Sequence, residues 1–230
     1  IMLTIDKISI YGFEEAIRGM RNPFNSWSKS DSGYSNIPRM DALIDDTEIH
    51  LEAEDYVYHL GCNDATLMNQ LVKAGPSHRK FMRMIIVYMD IVAPLYWWKE
   101  YDTYKIGTVS NSCSTMHKIT AKVFEREDFS TDKLTDFDCL DNIIASLNKN
   151  RDLYLKTHDK KYWWQIIQTL PSSYNQKRTV MLSYEVLRKI YNERNNHKLY
   201  EWLSFCKKIR ELPNSWLITG GRLENENEHI

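Results

Sequence analysis

The segment MRMIIVYMDIVAPLYWWKEY, residues 82–101, decides the fold. Its first half is apolar at most positions and rich in isoleucine and valine, a pattern typical of a strand that is buried on both faces. Pro94 follows at a position where a helix can begin, because the N–H that proline lacks has no partner in a first helical turn. We therefore predict a buried strand over residues 83–92 that leads directly into an aromatic helix over residues 95–104.

The residues before this segment alternate between regular elements and polar stretches. Residues 25–36, NSWSKSDSGYSN, are a polar loop that is either flexible or closes over a ligand. Asn63 or Asp64 can cap a helix that Gly75 terminates. The other predictions here are a strand over residues 3–10, a helix over 13–20, an ambiguous strand or helix over 55–60 and a helix up to residue 74.

The residues after the segment are mainly helical. A loop over residues 105–116 is followed by predicted helices over 136–155, 161–170, 174–194 and 198–212. Strands that cluster early and helices that dominate late indicate an α+β fold, a small antiparallel sheet with long helices. Because we find no repeat, linker or change of composition, we predict one domain over 1–230 with a polar tail from about residue 220.

Composition narrows the classes of function. The 230 residues carry a formal net charge of -1, which gives no general attraction to nucleic acid or to an anionic membrane. No apolar run is long enough to span a bilayer, and we expect a cytoplasmic protein. The four cysteines are widely spaced, which argues against a zinc site, and we predict no metal. A dinucleotide-binding glycine motif and a P-loop are both missing.

The loop over 105–116 is rich in small hydroxyl residues and contains Cys113. Free donors beside a helix end suit an anionic ligand such as a phosphate. A plain surface loop has a similar composition, and the residues alone leave both interpretations open. The aromatic helix before the loop is likewise either core or a platform for a planar ligand.

The same region resembles the flavin-dependent thymidylate synthases, also called thymidylate synthase complementing proteins. Members carry a histidine after a glycine-containing turn, a strand, Ala-Pro-Ile-Phe-x-x-x-Gln, Arg-His-Arg, seven residues and Ser. Here His78 matches the histidine, residues 93–96 match Ala-Pro-Ile-Phe, and Glu100 falls at the Gln. Residues 103–105, Thr-Tyr-Lys, fall at Arg-His-Arg, and Cys113 falls at the Ser.

A second match lies near the C-terminus. The family has Leu-Pro, a long helix ending in Leu-Arg, and then Ala-Gln-x-Glu. This chain has Leu170-Pro171, and Glu193-Arg194 follows at the matching distance. The resemblance therefore spans most of the chain.

The resemblance implies a homotetramer that binds FAD, reduces it with NADPH and methylates dUMP to dTMP with methylenetetrahydrofolate. It places Arg194 against the uracil ring, where a guanidinium stabilises negative charge. The implied catalytic residues are Arg194 and Cys113. The implied cofactor-binding residues are His78, Lys80, Thr103, Tyr104, Lys105, Asn111, Ser183 and Lys189. The implied substrate-binding residues are Glu100, Thr103, Cys113, Ser114, Thr115 and Arg194.

The chain departs from the family pattern where the family binds phosphate. Thr103, Lys105 and Thr115 replace arginines, and Glu100 replaces an amide with a negative charge. Each lost charge-assisted contact is worth roughly 1.5–3 kcal/mol. Two alternatives to the synthase therefore remain: a non-catalytic relative that keeps the fold and the oligomer, and a flavin enzyme for another substrate with Cys113 as a new chemical group.

Overall fold

The computed structural model describes residues 3–37 and 55–220, and for residues 35–37 and 55–57 it describes the backbone alone. The polar tail predicted from about residue 220 lies outside these ranges. The chain divides into two compact units. The first contains the N-terminal strand and residues 86–219, and the second contains residues from 12 to 85.

The first unit is built on a four-stranded antiparallel sheet with the order β1-β4-β6-β5. The predicted N-terminal strand is β1 (Thr4–Tyr11), and the predicted buried strand is β4 (Ile86–Pro94). Val87, Met89, Ile91 and Ala93 point to one face of β4 and are buried, whereas Tyr88 on the opposite face is 41% exposed, so the strand is fully buried on one face rather than on both. As predicted, helix α3 (Leu95–Tyr101) begins directly after Pro94.

The prediction of one long helix over residues 174–194 is wrong in its first half. Residues Asn175–Ser183 form strand β6, which pairs with all nine residues of β4, and helix α7 (Tyr184–Arg194) follows it. Val180 and Leu182 are buried while Lys177 and Thr179 are exposed, which is the two-residue period of a strand. Ser183 ends the strand and caps α7, since its Oγ accepts the N–H of Val186.

The prediction of a loop over residues 105–116 is also wrong. Thr108–Ser112 form the edge strand β5, whose register on β6 runs from Thr108 opposite Leu182 to Ser112 opposite Arg178. Residues Thr115–Lys118 then form the short helix α4. Strands therefore occur late in the chain as well as early.

The helices of the first unit bury an aromatic core. Trp97, Trp98 and Tyr101 of α3 are each at most 2% exposed, so this helix is core rather than an open platform. Trp97 packs against Trp202 and Phe205 of α8 with ring centroids 4.7 and 5.7 Å apart. The remaining helices are α5 (Asp138–Thr157), α6 (Lys160–Thr169), α8 (Tyr200–Arg210) and α9 (Trp216–Thr219).

The second unit contains helix α1 (Phe13–Arg21), helix α2 (Cys62–Lys73) and the hairpin of β2 (Gly33–Ile37) and β3 (Asp55–His59). The ambiguous residues 55–60 are thus a strand. At Gly12, φ is +92° and an added Cβ would lie 2.2 Å from the carbonyl oxygen of Met84, so glycine is required at the start of α1.

Asp64 is a buried anchor rather than the helix cap that the sequence predicts. Its Oδ1 accepts Nε of Arg21 at 2.6 Å, and its Oδ2 accepts the hydroxyls of Ser30 and Ser32, each at 2.7 Å. The cap of α2 comes from the polar loop, where the Asp31 carboxylate accepts the N–H groups of Asn63 and Asp64. Burial raises the pKa of Asp64, but the hydrogen bonds from Ser32, Ser30 and Arg21 outweigh it and lower the pKa overall.

Candidate functional site

The C-terminal end of α7 brings Arg194 against Glu100 of α3. Nη1 of Arg194 donates to Oε2 of Glu100 at 3.0 Å, and the same oxygen accepts Nε1 of Trp202 at 2.8 Å. The two charged side chains are 20% and 33% exposed, so solvent or a ligand can reach them. The sequence therefore identified two residues that the fold places in contact, although they lie almost one hundred positions apart.

Tyr104 links this ion pair to a second carboxylate. Its hydroxyl accepts Nε of Arg194 at 2.9 Å and donates to Oε2 of Glu193 at 2.8 Å. Burial and then the hydrogen bond to Glu193 raise the pKa of Tyr104 to about 12. The phenol therefore stays protonated at neutral pH and holds the guanidinium in one orientation. Among the described residues, Nη2 of Arg194 has no hydrogen bond, and it remains open to a ligand.

His197 completes the cluster on the side of Glu100. Its Nδ1 accepts the N–H of Leu199 at 3.2 Å, so the proton of the neutral ring lies on Nε2. Nε2 is 3.6 Å from Oε2 of Glu100. Arg194 also lies over the Trp202 ring, with Cζ 5.0 Å from the centroid. We call the group of Glu100, Tyr104, Arg194, His197 and Trp202 the arginine cluster.

Three of the predicted site residues lie next to Tyr104 in space or in sequence. Among the described contacts, none of the three forms an ion pair with the arginine cluster. Lys189 is exposed, and its Nζ lies 5.8 Å from the Tyr104 ring centroid. Lys105 is exposed beside it in sequence. Thr103 donates its hydroxyl to the backbone oxygen of Glu100 at 2.7 Å, which closes the end of α3. The two lysines can offer charge to an anion, and the threonine hydroxyl is already used.

The site residues that were predicted to lie in a loop over 105–116 instead lie on or next to β5 and α4. Asn111 and Cys113 are exposed, and the backbone of Cys113 is fixed by hydrogen bonds to Lys177 and Gln176. Ser114 caps α4, since its Oγ accepts the N–H groups of Met116 and His117 at 3.2 and 3.1 Å. Thr115 is the first residue of α4 and is partly exposed. This segment is ordered by pairing and capping rather than by contact with the arginine cluster.

Ser183, a predicted cofactor-binding residue, is 5% exposed, and its hydroxyl is the cap of α7. His78 and Lys80 are exposed in the second unit, where the N–H of His78 bonds to the carbonyl of Gly75 in a turn. Ser183 therefore has a structural role in the first unit, whereas His78 and Lys80 lie on the surface of the second. Within the first unit, no described hydrogen bond joins the side chain of Ser183 to Arg194.

Sequence reasoning missed a network centred on Arg178 of β6. Nη1 of Arg178 donates to Asp102 at 2.7 Å, Nε donates to Gln176 at 3.0 Å, and the guanidinium lies 4.2 Å from the Trp98 ring centroid. Gln176 in turn donates to the carbonyl of Cys113 at 2.8 Å. The polar run Gln176-Lys177-Arg178 was the available signal, but only the folded structure shows that Arg178 contacts Asp102.

Within residues 3–37 and 55–220, the structure contains no group of three histidine, cysteine or acidic side chains that could hold a metal ion. In the same ranges, no helix has the length and apolar character needed to cross a membrane.

This chain, with its small antiparallel sheet and long helices, is similar in fold to the flavin-dependent thymidylate synthases known as ThyX. This similarity confirms the predicted fold class. Two such structures are ThyX from Helicobacter pylori solved with FAD and dUMP, each 14% identical to this chain. One covers 96% of this chain and 98% of its own length with a TM-score of 0.66, and the other 95% and 97% with 0.65. No family model and no curated protein matches the chain. At this identity the likeness concerns the fold.

Proposed function

We propose that the chain is a divergent flavin-dependent thymidylate synthase, which binds FAD and methylates dUMP with methylenetetrahydrofolate and NADPH. The proposed function rests on the arginine cluster, in which Arg194 is held by two hydrogen bonds and keeps one nitrogen open. A fixed guanidinium beside a pyrimidine ring stabilises negative charge that develops there, and it loses no free energy to reorientation. The proposal includes a homotetramer and one synthase-type domain over 1–230.

The residues around Tyr104 fit the anionic part of a flavin dinucleotide in charge. Lys105 and Lys189 are exposed and can pair with a diphosphate, whereas Ser183 is buried and its hydroxyl is engaged. When bound, FAD supplies the reducing equivalent for the methyl transfer. The chain itself supplies the pyrimidine-facing cation, the protonated Tyr104 that orients this cation, and the two lysines.

Glu100 opposes part of this role. Its carboxylate is paired with Arg194, so the net charge that a dianionic nucleotide meets at the arginine cluster is smaller than for arginine alone. A second candidate function follows from this observation: a non-catalytic relative that has kept the fold and lost nucleotide or flavin binding. This candidate predicts no flavin in the purified protein and no change of the melting temperature with dUMP.

The deciding experiment is the visible absorption spectrum of the purified protein, titrated with FAD in the presence and absence of dUMP. Stoichiometric flavin binding, followed by conversion of dUMP to dTMP in the presence of methylenetetrahydrofolate and NADPH, is the expected result. Arg194→Ala is expected to keep FAD binding and to lose turnover. Arg210→Ala, in the last turn of α8 and exposed, is the matched control and should retain turnover.

Each result separates the two candidates. A protein that binds neither FAD nor dUMP under any of these conditions is the non-catalytic relative. A protein that turns over dUMP equally well with and without Arg194 has another catalytic group, and alkylation of Cys113 with ligand protection is then the next measurement.

A further inference from the structure

A cavity of about 410 Å³ opens in the first unit beside the N-terminal end of α8. Its walls are the first turn of α3, residues 130–134, Ser173 and residues 198–201. Backbone hydrogen bonds fix these walls: Ser130 donates to Ser173 at 2.8 Å, and Tyr96 donates to Ser172 at 3.0 Å. The cavity is lined by residues other than those of the arginine cluster.

A buried carboxylate lines this cavity. Glu201 is 6% exposed, and its Oε1 accepts the hydroxyl of Tyr96. Burial and then the contact with Glu201 raise the pKa of Tyr96, so its phenol remains a neutral donor. Within the described ranges, Glu201 has no other hydrogen bond and no cation within ion-pair distance. A carboxylate has four acceptor positions, so Glu201 can accept further hydrogen bonds from a ligand in the cavity.

Two lysines, whose charge is opposite to that of Glu201, line the same cavity without forming an ion pair with it. Lys133 lies over the Tyr200 ring, with Nζ 4.0 Å from the centroid, and Lys198 is exposed. Neither lysine forms an ion pair with a described residue. Helix α8 has eleven residues and no side-chain cap, and the N–H groups of Tyr200 and Glu201 have no acceptor among the described residues. These groups together favour an anion.

We propose that this cavity binds a small zwitterion, an α-amino acid being the simplest form, with its ammonium group on Glu201 and its carboxylate on Lys198 and the N-terminus of α8. Among the described residues, Glu201, Lys133 and Lys198 each lack an ion-pair partner, and a ligand with both charges pairs with the carboxylate and with the lysines. A ligand with one charge satisfies only one side.

The test is isothermal titration calorimetry of the full chain with each proteinogenic L-amino acid, followed by single-charge analogues of the best binder. We expect saturable binding of at least one amino acid. The matching amine, which lacks the carboxylate, and the matching carboxylic acid, which lacks the amine, should each bind at least about tenfold more weakly. Equal binding of either analogue, or no amino acid binding below about 10 mM, overturns the proposal.

Two variants locate the ligand. Glu201→Gln removes the charge and should weaken binding by about tenfold or more, whereas Glu211→Gln, exposed on the surface, should leave it unchanged. If Glu201→Gln does not fold, Lys198→Met tests the carboxylate side, because this residue is exposed and its loss does not open the core. If the variant that folds, Glu201→Gln or otherwise Lys198→Met, binds the amino acid as tightly as the wild type does, the proposal is overturned. Titration with phosphoethanolamine, in which a phosphate replaces the carboxylate, shows which of the two anionic groups the cavity binds more tightly.

Discussion

Arg21 and Asp64 form an ion pair that joins three segments of the second unit. Nε of Arg21 lies 2.6 Å from Oδ1 of Asp64, and both side chains are at most 5% exposed. The other carboxylate oxygen holds Ser30 and Ser32, so the polar loop that the sequence left open between flexibility and ligand closure is tied to α1 and α2.

Asp64→Asn should therefore destabilise the protein strongly. Removal of one partner of a buried ion pair costs about 3–5 kcal/mol, because the remaining charge is left uncompensated. The measurement is urea unfolding at neutral pH. Since the folded pKa of Asp64 is lowered, its stabilisation is present above the ordinary aspartate pKa and is lost as the pH falls through the folded pKa. The stability gap between wild type and variant should thus narrow in acid. A gap that does not change with pH would contradict this assignment.

Glu100→Gln should increase the affinity for dUMP. The amide keeps an acceptor for Trp202 and Arg194 but removes the negative charge, and at this partial exposure the gain is about fivefold to tenfold. Calorimetric titration with dUMP in the presence of FAD measures it, with Glu211→Gln as the control. Weaker binding in Glu100→Gln would show that the carboxylate itself holds the ligand.

Tyr104→Phe should lower the free energy of unfolding at pH 9 by about 1–3 kcal/mol, because Arg194 and Glu193 lose a shared partner. The folded pKa of about 12 lies above the ordinary value of 10, so the stabilisation is complete below pH 10 and disappears as the pH rises toward 12. Denaturant unfolding at pH 9 and pH 11 should show a smaller difference between the two proteins at the higher pH. A difference that grows with pH has the wrong sign for this hydrogen bond.

The cysteines should react with iodoacetamide at two different rates. Cys62, Cys113 and Cys139 are exposed, whereas Cys206 is 2% exposed and burial raises the pKa of its thiol to about 11. Mass spectrometry of the native protein should show modification of the first three and protection of Cys206 until the protein unfolds. Rapid labelling of Cys206 in the native state would mean that α8 opens readily.

Gly12→Ala should destabilise the second unit by more than about 1 kcal/mol, since the backbone has positive φ and the new methyl group meets the Met84 carbonyl. Gly33→Ala is the matched control, because an added Cβ there has no atom within 4 Å. Thermal unfolding of both variants makes the comparison. Equal melting temperatures would contradict the contact at Gly12.

Local signals in the sequence were sufficient for β4 and α3, because an apolar β-branched run and Pro94 specify them without reference to distant residues. They failed for β6 and β5. Lys177, Arg178 and Thr179 are polar, and Ser110 and Asn111 are exposed, so these strands are stabilised by pairing with β4 and with each other rather than by their own composition.

The candidate site divides in the same way. Glu100, Tyr104 and Arg194 were found because the motif spacing fixes their positions along the chain. Trp202 and Glu193 were not assigned roles, because their contacts depend on how α7 and α8 cross α3. Ser183 was assigned to cofactor binding at a position where the change from strand to helix instead requires a cap.

The pairing of β1 with β4 sets an order of events during synthesis of the chain. Thr4 pairs with Val92, so β1 leaves the ribosome long before its partner strand has been made. In the interval the whole of residues 12–85 emerges, including the α1–α2 contacts around Asp64, and that unit can assemble first. A released fragment of residues 1–85 should therefore carry a protected second unit and an unpaired, protease-sensitive β1.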